Sequence, residues 1–198
     1  MTDGNVDSCG VLLAAGGGRR MGQPKAAVVL DGHTLLERGL QTLADAGCTP
    51  LYAVVGASLP EGSPAATPPA TVFVTNPDWE SGMASSLRAG LAAATGDAAV
   101  VTLVDQPGIT AEAVRRLREA HRAGFAVVAT FNGEMRTPVL FDRLLWEEVG
   151  ESVTGDAGAR HWLRRNSARV IPVACDDVAD PTDLDLPEDL TRWERTCS

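Results

Sequence analysis

One stretch concentrates the residue types that handle phosphate: Val11-Leu-Leu-Ala-Ala-Gly-Gly-Gly-Arg-Arg-Met-Gly-Gln-Pro-Lys25. Glycines let backbone N–H groups approach phosphate oxygens closely, and Arg and Lys bring positive charge to a polyanion. The run reads as a phosphate cradle, but of neither common type. The dinucleotide pattern G-x-G-x-x-G started at Gly16 requires glycine where Met21 stands. The P-loop requires Gly-Lys-Ser/Thr, whereas Gly22 is followed by Gln23 and Pro24. Lys25 is the single lysine among 17 basic residues, so its place at the end of this loop carries weight. A second chemical position is Asp105, just beyond the apolar run Ala98 to Val104. A carboxylate there suits Mg2+, which takes one or two carboxylates and completes its shell with water and substrate phosphates.

Such residues need a scaffold that brings strand ends to one edge. Short apolar, β-rich runs alternate with helical patterns, the sequence sign of βαβ units and a mostly parallel sheet. Strands are expected at Cys9 to Ala14, Leu51 to Gly56, Thr71 to Thr75, Ala98 to Val104, Phe125 to Thr130 and Arg169 to Val173. Helices are expected at Thr34 to Ala46, Met83 to Ala94, Ala111 to Ala123, Asp142 to Val149, Ala157 to Asn166 and Pro187 to Arg195. Thr110 before Ala111, and Pro187 followed by Glu188 and Asp189, are helix starts. Ligands of open α/β sheets gather beyond the carboxyl ends of the strands, where the glycine loop and Asp105 both fall. The Pro-, Gly- and Ser-rich segment Ala57 to Ala70 reads as a surface loop.

A chain of 198 residues, 44% hydrophobic and 22% charged, suits one globular domain over residues 1–198 rather than a disordered or fibrous protein. Its net charge of −9 opposes non-specific binding to nucleic acid or an anionic membrane and leaves room for a local basic pocket. Cys9, Cys48, Cys175 and Cys197 are too scattered for a structural zinc site. No run reaches the roughly 18 apolar residues of a membrane helix, and Met1 to Ser8 lacks a basic signal-peptide start. A cytoplasmic protein with reduced thiols is expected. Trp79, Trp146, Trp162 and Trp193 are not interleaved with basic residues, so they build no stacking platform and are expected to pack. His33, His121 and His161 fall on helix starts or polar faces, where a structural or solvated role is expected.

Leu13-Ala14-Ala15-Gly16, then Arg20-Met21-Gly22 and Pro24-Lys25, resemble the signature of MobA-like nucleotidyltransferases, which include the molybdenum cofactor cytidylyltransferases. The resemblance continues through Asn76-Pro77-Asp78-Trp79 with Gly82-Met83-Ala84-Ser85-Ser86-Leu87, through Val104-Asp105-Gln106-Pro107, and through Pro138-Val139-Leu140-Phe141 with Gly155-Asp156-Ala157-Gly158-Ala159-Arg160. It closes on Asp183-Leu184-Asp185-Leu186-Pro187. These matches span nearly the whole chain, from about Val11 to Leu190.

The resemblance implies an α/β, Rossmann-like three-layer α/β/α nucleotidyltransferase fold with a mostly parallel sheet. It implies transfer of a nucleoside monophosphate to a phosphorylated acceptor, molybdopterin or molybdenum cofactor, with release of pyrophosphate. Such chemistry is positioning plus charge neutralisation, so Arg20 and Lys25 become the phosphate clamps, and Arg19 a solvated neighbour. Asp105 and Asp185 become the Mg2+ carboxylates, with Asp183 on the same side if the stretch is extended. The first loop (Leu13, Ala14, Ala15, Gly16, Gly17, Gly18) with Gly82 and Ser86 becomes the nucleotide pocket. Leu-Ala-Ala-Gly, where guanylyltransferase relatives usually carry Leu-Ala-Gly-Gly, favours CTP. Other readings remain open: GTP as donor, a sugar or polyol phosphate as acceptor, or a nucleotide-binding sensor without catalysis. Arg136-Thr137-Pro138 stands where the family often has Gly-His-Pro, so the acceptor is left open. Asp156 and Arg160 could meet that acceptor or pair with each other at i, i+4. The resemblance further implies a monomer whose partners include a molybdoenzyme or its chaperone.

Overall fold

The computed structural model describes residues 6–56 and 67–196, with side chains through residue 193. β1 (Ser8–Leu13) leads through the glycine loop to a small hairpin, β2 (Val29–Leu30) and β3 (His33–Thr34), and then to α1 (Leu35–Asp45). β4 (Leu51–Val55), β5 (Thr71–Thr75), α2 (Met83–Ala93), β6 (Ala98–Leu103) and α3 (Ala111–Glu119) follow. The second half holds β7 (Ala126–Phe131), β8 (Glu134–Asp142), α4 (Trp146–Ser152), α5 (Arg160–Arg165), β9 (Val170–Ala174) and α6 (Pro187–Thr196). The segment 57–66 of the expected surface loop lies outside the described residues.

Seven strands form one sheet in the order β5-β4-β1-β6-β8-β7-β9. Every neighbouring pair is parallel except those of β8, which runs antiparallel to both β6 and β7. The sheet separates two apolar layers. On one side α1 and α3 bury Leu36, Leu40, Leu43, Val114 and Leu117 against Leu12, Val100 and Val127. On the other, α2, α4 and α5 bury Leu87, Leu91, Val149 and Trp162 against Val11, Val101 and Phe141. The result is the expected Rossmann-like three-layer architecture. Among the described residues, no helix is long and apolar enough to cross a membrane.

β8 has no counterpart among the six expected strands. Pro138 inside Glu134 to Asp142 argues against a central strand, because proline donates nothing to a ladder. The structure accommodates it at an irregularity: Val128 pairs with Val139 while Ala129 pairs with Arg136, so Thr137 and Pro138 are set out of register. Helix boundaries shift for local reasons. Thr34 is a cap, its hydroxyl accepting from Glu37 N while the Glu37 carboxylate accepts from Thr34 N, so α1 begins one residue later than expected. Asp142 ends β8 and caps the 3-10 turn Arg143–Leu145 that leads into α4, so the expected helix opens there as a 3-10 turn. Its buried carboxylate accepts from Gly124 N, Leu144 N and His121 Nε2, which gives His121 the structural role expected of it. The expected helix Ala157 to Asn166 is shortened to α5, because Gly155–Ala157 form a 3-10 turn and Gly158 adopts φ 51°.

Two core residues carry measurable consequences. Arg118 is buried beneath α3, its Nε donating to Ser8 Oγ at 2.7 Å and its other nitrogens to the carbonyls of Ala46 and Val6. Arg118→Met is expected to lower stability in urea denaturation by about 3 kcal/mol, because it leaves these acceptors dry and unpaired. Thr102, on β6, has the opposite character: its buried hydroxyl has no hydrogen-bond partner among the described residues. Thr102→Val keeps the shape and removes the orphan, and the same measurement is expected to show a gain of about 1 kcal/mol.

Candidate active site

Parallel strands deliver their carboxyl ends to one edge, and that edge carries the site. β1 runs into the glycine loop, held against its neighbours by Ala14 N donating to Val54 O and Val104 N donating to Leu13 O. Gly18 makes the turn at φ 56°, where an added Cβ would overlap the Gln23 carbonyl oxygen. The amides of Ala15, Gly16, Gly17 and Gly18 enter no hydrogen bond among the described residues, which leaves them available to an anion. The loop ends in a 3-10 turn, Lys25–Ala27, that fixes the backbone of Lys25.

Three residues far apart in sequence meet there. Lys25 Nζ donates to Asp105 Oδ2 at 2.6 Å and to Asp185 Oδ1 at 2.5 Å. Side-chain exposure is 16% for Lys25, 20% for Asp105 and 48% for Asp185, so the first two are sheltered and the third faces solvent. Burial alone would lower the lysine's affinity for its proton; the hydrogen bonds it donates to the two carboxylates outweigh that and raise the pKa above the usual value. Lys25 therefore stays an ammonium across the neutral range. Arg20, largely exposed, stands with Nη1 3.9 Å from Asp185 Oδ2. Arg19 is exposed as expected, 3.4 Å from Glu80.

Asp105 and Asp185 are positioned by backbone. The closing segment docks on the strand-end loop through Leu184 N to Asp105 O at 2.8 Å and Asp180 N to Gly108 O at 3.0 Å, with Leu184 buried. The Asp189 carboxylate, in the first turn of α6, accepts from both Asp185 N and Leu186 N. Asp183 lines the same recess as Asp105 and Asp185 but bonds elsewhere: its carboxylate accepts from Gln106 Nε2 at 2.8 Å, and Arg136 lies at 3.8 Å. Burial pushes the Asp183 carboxyl up, partly offset by the Gln106 bond. Thr137 Oγ1 donates to Gln106 Oε1. Because β8 runs against its neighbours, its start rather than its end reaches the functional edge, and that brings Arg136 and Thr137 here.

Two recesses meet at Asp105. One is a crevice lined by Ala15, Gly16, Gly17, Lys25, Gly82 and Ser86, which gathers most of the residues expected for nucleotide. Leu13 lines both recesses, whereas Ala14 is buried in the core. Gly82, at φ 111°, has Gly155 so close that an added Cβ would stand 2.6 Å from its carbonyl carbon. Ser86 is buried and its hydroxyl accepts from Asn76 Nδ2 at 3.0 Å, which leaves its own proton to donate. Asn76 also bonds Ser85, so this asparagine sets both serines. Trp79, expected only to pack, forms part of the crevice wall, with its ring so close over Gly17 that an added Cβ would meet Cη2 at 2.7 Å. Its place directly before the Gly82-Met83 helix start was the available signal.

The other recess, of about 260 Å3, has an apolar floor that includes Val101, Val128, Val139 and Phe141 and a rim carrying Arg136, Arg160 and Arg164. Asp156 and Arg160 both line it, and no ion pair joins them among the described residues. The two carboxylates that converge on the Lys25 ammonium show that this geometry already holds a cation. Among the described residues no cluster of three or more Cys, His, Asp or Glu could hold a metal.

Residues 10–170 match the family model of the MobA-like NTP transferase domain. The nicotine blue oxidoreductase of Paenarthrobacter nicotinovorans is 38% identical over 192 residues, covering 92% of this chain and 94% of that protein. The molybdenum cofactor guanylyltransferase of Rhodobacter capsulatus is 30% identical over 191 residues, covering 93% and 94%. Among solved structures, a nucleotidyl transferase from Methanothermobacter shares the fold, with a TM-score of 0.82 at 21% identity over 97% of both chains.

Proposed function

The chain belongs to the MobA-like NTP transferase family, and on that premise we propose that it is a Mg2+-dependent nucleotidyltransferase. It moves CMP from CTP to a phosphorylated acceptor of the molybdopterin type and releases pyrophosphate. The observation that carries this reading is the convergence of Lys25, Asp105 and Asp185 where the two recesses join. A triphosphate lies along the glycine loop, its oxygens taken by the open amides of Ala15 to Gly18. Arg20 reaches across the outer phosphates as a fork, and Lys25 places a point charge at the α-phosphate. The acceptor phosphate, entering from the recess rimmed by Arg136 and Arg160, attacks the α-phosphorus; the new P–O bond forms as the bond to pyrophosphate breaks. A divalent ion bound by Asp105 and Asp185 would neutralise charge on the phosphates. Leu13, Gly82 and Ser86 border the base, where the Ser86 hydroxyl donates a hydrogen bond.

Ala15, which lines the crevice where guanylyltransferase relatives usually carry glycine, supports CTP, although a 30% identical relative is named a guanylyltransferase. We place the enzyme in the cytoplasm, working as a single-domain monomer that passes its product to a molybdoenzyme or its chaperone. The test is pyrophosphate release from CTP and GTP with molybdopterin, molybdenum cofactor, and sugar and polyol phosphates offered in turn. Release from CTP with the pterin acceptor is the expected outcome. The 38% identical relative named a nicotine blue oxidoreductase supports a second reading, oxidation or reduction of nicotine blue in the apolar recess. Turnover of nicotine blue with a supplied redox partner, and no pyrophosphate from any acceptor, would establish it instead.

A further inference from the structure

The Lys25 ammonium does not point into the loop it closes. It stands between the two carboxylates, 2.6 Å from Asp105 and 2.5 Å from Asp185. Two carboxylate oxygens held by one nitrogen are close enough for a divalent ion, with ligands at about 2.1 Å, to take its place after a small adjustment. We propose that Lys25 is a displaceable plug of the cation site, which keeps the free ion out until nucleotide phosphates draw the lysine away. The inference rests on the reading of Asp105 and Asp185 as the metal carboxylates and adds an order of events to it.

Charge and reach both support the exchange. An ammonium and a dication together overcharge a pair of carboxylates, and Arg20 adds a further positive group 3.9 Å from Asp185. The lysine therefore needs another anion before the ion can enter. Ala15, Gly16 and Gly17, with their open amides, line the same crevice as Lys25 and Asp105, so a phosphate bound there supplies that anion. The Lys25 backbone is fixed in its 3-10 turn, and the flexible four-carbon stem can swing between partners. Metal and nucleotide then each favour the lysine-out state, so each tightens the other, reciprocally. The lysine makes free-ion binding weak and binding with nucleotide strong.

Mn2+ titration followed by electron paramagnetic resonance tests this on the wild-type chain, Lys25→Met and Lys25→Arg. Free Mn2+ is expected to bind Lys25→Met at least tenfold more tightly than wild type, with Lys25→Arg remaining as weak as wild type. The factor by which CTP tightens Mn2+ is expected to shrink in Lys25→Met. Because Lys25 is the only lysine, 15N-lysine labelling gives one side-chain ammonium signal in the unaltered protein. Millimolar Mg2+ alone is expected to leave that signal in place, and Mg2+ with CTP to move it. Equal Mn2+ affinity in wild type and Lys25→Met, or a lysine signal that moves with Mg2+ alone, overturns the plug. In that case binding of Mn2+ with CTP, and turnover, would leave the nucleotidyltransferase reading intact. Absence of Mn2+ binding by any of these proteins, with or without CTP, overturns both.

Discussion

Lys25→Met is expected to release pyrophosphate about a thousandfold more slowly than the parent chain, a loss of about 4 kcal/mol of transition-state stabilisation. The side chain is sheltered, stays protonated and stands beside the crevice that the triphosphate would occupy. No other lysine is present to take its place. The substitution keeps the stem and removes the charge, so the apolar layers are untouched and thermal melting is expected to stay within a few degrees. A group that acts on charge rearranged at the α-phosphate lowers kcat and kcat/KM together. A rise in KM alone would move Lys25 to simple substrate binding, and a rate within tenfold of the parent would remove it from the reacting phosphate.

Asp105→Asn is expected to have the second large effect, also about a thousandfold in turnover, with a marked rise in the concentration of metal needed for half-maximal rate. The change preserves shape and retains an oxygen that can accept from Lys25 while removing a full negative charge. Asp185→Asn is expected to cost less, because Asp185 is 48% exposed against 20% for Asp105 and water can replace part of its contribution. Initial rates across a Mg2+ and Mn2+ series separate the two carboxylates. Equal turnover by Asp105→Asn and the parent at every metal concentration would take Asp105 out of the metal site.

The parallel half of the fold was legible because β1, β4 and β6 are buried on both faces and read as continuous apolar runs. β8 was not, because Pro138 and the polar start Glu134-Met135-Arg136 hide a strand that folds back on β7 across Asn132-Gly133 through an irregular register. The site was legible where residue type is rare or placed at a strand end, as with Lys25 and Asp105. The pairing of Lys25 with both carboxylates could not be read from spacing, since it depends on how the closing segment docks on Gly108 and Asp105. Trp79 and Gln106 were missed as site-shaping groups for the same reason. Gln106 matters only because Thr137 and Asp183 reach it from other segments.

Asp185 lies 160 positions after Lys25, and the two are hydrogen-bonded. At synthesis rates of about 5 to 20 residues per second, a ribosome that has emitted the glycine loop needs on the order of ten seconds more to supply its partner. Throughout that interval Lys25 lacks one of its two carboxylate partners, so the three-residue centre closes only once the segment carrying Leu184 and Asp185 has been made.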